Sequence, residues 1–113
     1  MLIVHGIKNC DSVKKAIKFL NDHDIKYTFR DFKKQPADCK EIESWLKVKN
    51  IDTLFNTKSS TYRTLKLKEQ QLTSAQKVEW LCKENLLIKR PVIQRIDDII
   101  VGYDQNLYEM ELL

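Results

Sequence analysis

The hydrophobic pattern of the chain changes period several times, and each change marks an element. Leu2, Ile3 and Val4 form an apolar run, ended by His5 and Gly6, that predicts a buried strand. From Asp11 the spacing becomes helical: Val13, Ala16, Ile17, Phe19 and Leu20 share a face, with Lys14, Lys15 and Lys18 toward solvent. Asp11 or Ser12 is the expected N-cap, and the pattern fades over residues 21–24. Residues 25–32 then alternate, with Ile25, Tyr27, Phe29 and Asp31 on one side and Lys26, Thr28, Arg30 and Phe32 on the other. That predicts a second strand. Strand, helix and strand within about 30 residues is the size of a parallel crossover unit.

The next stretch, Gln35-Pro36-Ala37-Asp38, reads as a helix start with proline early in the first turn. Ile42, Trp45, Leu46 and Val48 supply its apolar face. Asn50, Ile51 and Asp52 punctuate, and residues 53–55 read as a short turn. Residues 56–68, NTKSSTYRTLKLK, are hydroxyl-rich and basic without a clear period and predict a loop. Thr73 and Ser74 can cap another helix, with Ala75, Val78, Leu81 and Cys82 inward and Trp80 partly so. Residues 92–95 and 99–103 predict a hairpin whose joint, Ile96-Asp97-Asp98, lacks the glycine of a two-residue turn. Asp104 can cap a last helix whose apolar set is Leu107, Tyr108, Met110 and Leu113.

Strand-helix-strand, a helical insert, then helix-hairpin-helix is the thioredoxin-like order: an α/β fold with about four strands in a mixed sheet flanked by helices. At 113 residues the chain fits a single domain of this kind, residues 1–113. In such a fold the end of the first strand lies beside the segment leading into the third. Cys10 is therefore expected near Arg90 and Pro91, which are remote in sequence.

Composition narrows the function classes. Hydrophobic residues make up 42% and charged residues 32%, as in globular rather than disordered chains. The net charge of +4 comes from basic residues interleaved with acids, which allows an anionic ligand without calling for direct nucleic-acid binding. No apolar run approaches the roughly 20 residues of a membrane helix, and no signal-peptide pattern opens the chain. The expectation is a cytoplasmic protein without a membrane partner.

The three cysteines, Cys10, Cys39 and Cys82, are odd in number and widely spaced. Their spacing matches neither a metal site nor a disulfide framework, so all three are expected as thiols in a reducing compartment, with no metal. Two readings of Cys10 stand side by side: a small buried residue at the top of a strand, or a nucleophile at a helix N-terminus, where unpaired amides and a nearby cation favour the thiolate. Lys8 supports the second reading, and the Asp11 carboxylate opposes it. Arg90 can hold a carboxylate or oxyanion through its forked donors, and Pro91 suits the start of a strand. Lys58 and Arg63, among the hydroxyls of residues 56–63, can grip an anion or simply solvate a loop. His5, Tyr62 and Tyr103 read as structural.

The motifs GIKNCDSVKKA near the start, NTKSSTYR in the middle and IKRPVI near residue 90 together resemble the ArsC-like family, which includes glutaredoxin-coupled arsenate reductases, Spx-type regulators and YffB-type proteins. The YffB type is the nearest in motif, and the similarity spans nearly the whole chain. The resemblance implies that Cys10 is the redox cysteine, that Arg90 and a cis Pro91 face it, and that Lys58 stands where arsenate reductases carry an arginine. It also places Arg63 at a basic position common in the YffB-type loop.

Departures are specific. Arsenate reductases resemble H-N-P-x-C-G-[ST]-S-R around the thiol; here Gly6 takes the histidine position and the arginine after the thiol is absent. Spx-type regulators usually carry C-x-x-C, and here the second position is Val13. The resemblance therefore implies a monothiol oxidoreductase, a glutathione-dependent thiol reductase with Cys10 catalytic. Lys8, Asn9, Lys58, Arg63, Arg90 and Pro91 would bind substrate or glutathione. The expectation is that no cofactor is bound, that glutathione or a thiol protein serves as electron donor, and that the protein is a monomer. The alternative is an Spx-like non-enzymatic regulator that binds RNA polymerase. Arsenate reductase proper ranks below both.

Overall fold

The computed structural model describes all residues 1–113, and they fall into two compact units. The first comprises Met1–Lys33 and Arg90–Leu113; the second, Lys34–Lys89, is the helical insert that follows the second strand.

The first unit is built on a four-stranded sheet of order β2-β1-β3-β4, formed by β1 (Leu2–Gly6), β2 (Tyr27–Asp31), β3 (Val92–Gln94) and β4 (Ile99–Val101). β1 and β2 are parallel and are joined through α1 (Asp11–Asp22); β1–β3 and β3–β4 are antiparallel. The mixed sheet predicted by the element order is thus present. Val4 pairs with Ile93 and Ile93 with Ile100, so these three side chains lie on one face of the sheet. They pack with Ala16, Phe19 and Leu20 of α1 and with Tyr108 of the C-terminal helix (Gln105–Leu112) into a single apolar cluster. Phe19 and Tyr108 meet edge to face, with centroids 5.5 Å apart. Burial of this face is the main reason the unit folds.

β1 runs two residues beyond the predicted end. His5 is buried and joins three strands: its Nδ1 lies 2.9 Å from an Arg30 nitrogen on β2, and its Nε2 lies 2.8 Å from Gln94 Oε1 on β3. A guanidinium only donates, so Nδ1 accepts and Nε2 carries the proton. His5 is structural, as its position at a strand end suggested. The hairpin joint works without glycine because Arg95 and Asp98 close it. The Arg95 amide donates to the Asp98 carbonyl at 2.9 Å, and its guanidinium grips the Asp98 carboxylate through two nitrogens at 2.7 and 2.8 Å. Met110 and Leu113, expected inward, are 79% and 63% exposed; Tyr108 is the buried anchor of that helix.

In the second unit, α2 (Cys39–Leu46) is capped by Asp38, and α3 (Ile51–Leu54) by Asn50. Residues 56–68, expected as a loop, hold a further helix, α4 (Ser60–Thr64), followed by a 3-10 turn at Leu67–Gln70. The Ser59 hydroxyl accepts the Tyr62 amide at 3.1 Å and starts α4, a helix too short to display an apolar period. α5 (Ser74–Lys83) begins with a reciprocal capping box between Thr73 and Gln76, as the Thr73-Ser74 signal predicted. The C-terminal helix Gln105–Leu112 is therefore α6. Ile42, Trp45, Leu54, Leu67, Leu81 and Leu87 are among the unit's buried side chains, whereas Val48 is 44% exposed, contrary to expectation, because α2 ends before it.

The cysteines require a correction. Cys39 and Cys82 are joined in a disulfide and are not free thiols; only Cys10 is free. Forty-three residues separate the partners in sequence, but α2 packs on α5 and brings their Cα atoms to 4.9 Å. No local spacing signals such a pair.

Candidate functional site

Cys10 is the N-cap of α1, with extended backbone at φ −146° and ψ 121°. The expected caps, Asp11 and Ser12, lie one and two positions too far along. The Cys10 carbonyl already accepts the Lys14 amide at 3.0 Å, so the helix starts at the thiol itself. Its side chain makes no capping bond. The first-turn amides are thus left to any anionic atom brought to this end, and the positive end of the helix dipole lies there too. Cys10 is half-buried, Lys8 and Asn9 before it are exposed, and Asp11 adds one negative charge in the first turn.

Two features hold the helix start against the sheet. Val13 is fully buried, and its Cγ2 lies 2.8 Å from where a Cβ on Gly6 would stand. Only glycine admits that approach. The residue in the second position of a C-x-x-C pattern is therefore a packing residue, and Gly6, at the position of the arsenate reductases' histidine, is its seat. In the sequence Gly6 reads as a strand end at the histidine position; its role as a seat depends on a contact seven residues away.

The second feature is the start of β3. The Arg90-Pro91 peptide bond is cis. Pro91 is buried, and its carbonyl accepts the Gly102 amide at 2.8 Å. His5 pairs with Val92 in antiparallel register, so the chain leaving β1 toward Cys10 and the chain arriving through Arg90 and Pro91 share one end of the sheet. This is the juxtaposition that the thioredoxin-like order predicted. Gly102, at φ 83°, takes a left-handed conformation that favours glycine, and its carbonyl accepts the Tyr108 hydroxyl at 2.6 Å. The β4 end that supports Pro91 is thereby tied to α6.

Lys58 and Arg63 lie in the helical insert, where they meet each other: Arg63 donates to the Lys58 carbonyl at 3.0 Å. With Tyr62, Lys66, Lys68 and Glu69 they line a groove of about 440 Å³. Four cations face one carboxylate there, which makes the groove basic although the chain as a whole is only mildly so. Lys66 and Lys68 carry no signal of their own in the sequence, since the spacing that gathers them with Lys58 exists only once α4 has formed. Tyr62 packs edge to face on Phe55 at 5.9 Å, and Tyr103 packs on Tyr108 at 5.2 Å, both structural as expected. No helix is long and apolar enough to cross a membrane.

Comparison with known proteins agrees with these features. An uncharacterized protein of Haemophilus influenzae is 35% identical over 112 residues, covering 96% of both chains. The global transcriptional regulator Spx of Listeria innocua is 29% identical over 94% of this chain and 82% of its own length. Among solved structures, a YFFB protein superposes with a TM-score of 0.91 at 29% identity, each chain fully covered. An arsenate reductase (ArsC) related protein from Brucella melitensis gives 0.79 at 34% identity, over 98% of this chain and 93% of its own. The ArsC family profile matches residues 5–110. A free cysteine at the N-cap position of α1, on the sheet end that also holds the cis Arg90-Pro91, thus sits within a family-wide match over almost the whole chain, and the protein belongs to the ArsC family.

Proposed function

We propose that this protein is a regulatory binding protein of the Spx-like kind, a cytoplasmic monomer whose partner is RNA polymerase. The observation that carries this reading is similarity, over nine-tenths of the chain, to proteins described as transcriptional or regulatory: Spx of Listeria innocua at 29% identity and MgsR of Bacillus subtilis at 24%. The site supports it by what it has given up. Gly6 and Val13 are committed to packing, so neither the arsenate reductases' histidine nor a resolving thiol stands at the helix start. Binding requires neither. The basic groove around Lys58, Arg63, Lys66 and Lys68 offers an acidic protein surface a complementary field. The test is co-migration with purified RNA polymerase on gel filtration. Retention by wild type and by Cys10→Ser alike is expected. No complex, or one that only the thiol form makes, would overturn the reading.

A second reading, a glutathione-dependent monothiol oxidoreductase, is favoured by one observation: a free cysteine at a helix N-terminus on the sheet end that also holds the cis Arg90-Pro91. The Cys10 thiolate would attack oxidised glutathione, forming a protein–glutathione disulfide and releasing one glutathione, which takes up the proton. A second thiol, from glutathione or a partner protein, would then regenerate Cys10. Lys8, Asn9 and Arg90 would hold a glutathione carboxylate, and the backbone before Pro91 would pair with its extended peptide. Peptide mass spectrometry after exposure to oxidised glutathione decides it: an adduct at Cys10 is expected, and unmodified Cys10 would sink it.

A further inference from the structure

The helical insert carries a cysteine pair that neither reading uses. Cys39 is the first residue of α2, directly after its N-cap Asp38, and is exposed; Cys82 lies in the last turn of α5 and is half-buried. We infer that Cys39 and Cys82 form a second redox site, a reversible dithiol–disulfide switch on the insert that exchanges with low-molecular-weight thiols and disulfides independently of Cys10.

Three observations carry this. The disulfide joins an exposed residue to a half-buried one, and exposed disulfides are the more reducible ones. The two helix ends are also held together without it. Asn85, just past α5, accepts the Ala37 amide at 2.8 Å and donates to the Ala37 carbonyl at 3.3 Å and the Leu81 carbonyl at 3.0 Å. Ala37 precedes α2, so these bonds span the same two helix ends as the sulfurs. With Ile42, Trp45 and Leu81 buried as well, the reduced insert keeps its thiols in register. A Cα separation of 4.9 Å lets the bond open and close without backbone rearrangement. Finally, Cys39 stands at the α2 N-terminus with exposed Lys40 beside it, which favour attack by its sulfur, while the Asp38 and Glu41 carboxylates oppose it.

Oxidation starts at Cys39. Its thiolate attacks one sulfur of a small disulfide such as oxidised glutathione, forming a mixed disulfide and expelling one thiolate, which takes up a proton. The Cys82 thiolate then attacks the Cys39 sulfur, closes the protein disulfide and expels the second thiolate. Two electrons pass from the protein to the small disulfide, and two molecules of small thiol are released. Reduction is the reverse, with reduced glutathione as electron donor.

The test uses the full chain carrying Cys10→Ser, so that only the pair can react and the result is separate from any role of Cys10. The protein is equilibrated in glutathione buffers of graded redox ratio, acid-quenched and alkylated, and its intact mass is read. A single two-electron transition between dithiol and disulfide is expected. The reduced form should remain folded by circular dichroism, with a Tm roughly 10 °C below the oxidised form. A disulfide that survives excess reduced glutathione in the folded state would overturn the inference, as would a dithiol that oxidised glutathione leaves open. With Cys82→Ser added, the mixed disulfide on Cys39 should persist; its absence would overturn the order of attack.

Discussion

Val13 Cγ2 stands 2.8 Å from the point that a Cβ on Gly6 would occupy. The first turn of α1, with Cys10 at its head, is seated on β1 through this one close approach. Gly6→Ala forces a methyl group into a contact with no free space, and Val13, β-branched and fully buried, has no alternative rotamer to turn to. A loss of about 1–3 kcal/mol is expected in urea unfolding. Adding Val13→Ala should recover part of it, because the two changes share one contact. Additive losses would mean that the contact is not what fixes glycine at position 6.

Cys10 occupies an N-cap and makes no capping bond. Serine there would accept a first-turn amide. Cys10→Ser should therefore raise stability by about 0.5–1 kcal/mol while abolishing any glutathione adduct at that position. Denaturant unfolding and peptide mass spectrometry on the same preparation check both halves. A destabilised Cys10→Ser protein would show that the sulfur packs in a way its half-buried position does not suggest.

Tyr108 is buried, and burial pushes its phenol well above the usual tyrosine range, with Tyr103 and Asp104 adding to the effect. The folded chain keeps this proton where the unfolded chain, with an ordinary tyrosine pKa near 10, releases it. The stabilisation is fully present below about pH 10 and is lost above it, by up to about 1.4 kcal/mol per pH unit. Tyr108→Phe removes that slope. At neutral pH it costs about 1–2 kcal/mol, because the Gly102 carbonyl loses its 2.6 Å donor. Unfolding free energies of the two proteins from about pH 8 to about pH 11 test both statements.

Asn85 holds the start of α2 to the end of α5 from one side chain. Asn85→Ala orphans the Ala37 amide, whose residue is buried, and should cost about 2 kcal/mol. Hydrogen exchange at the Ala37 amide should accelerate, and the effect should be larger in the reduced protein, where no disulfide spans the same two helix ends. Equal acceleration in both redox states would mean that clamp and disulfide act on different motions.

The sequence by itself determined the element order, because each element there carries its own local signal. The helical spacing from Val13 to Leu20, the alternation from Ile25 to Phe32 and the caps Thr73 and Asp104 each act within a few residues. The order in turn placed Cys10 and Arg90-Pro91 at one end of a sheet, which strand register then supplied through His5 and Val92. Tertiary structure decided the rest, through contacts that carry no periodic signal. It set the helix Ser60–Thr64 within residues 56–68, since the Ser59 cap acts on a helix too short for a period. It gathered Lys58, Arg63, Lys66 and Lys68 into one groove. It made Gly6 a seat for Val13. It joined Cys39 to Cys82 across 43 residues, because helix packing, not spacing, sets the distance between two sulfurs.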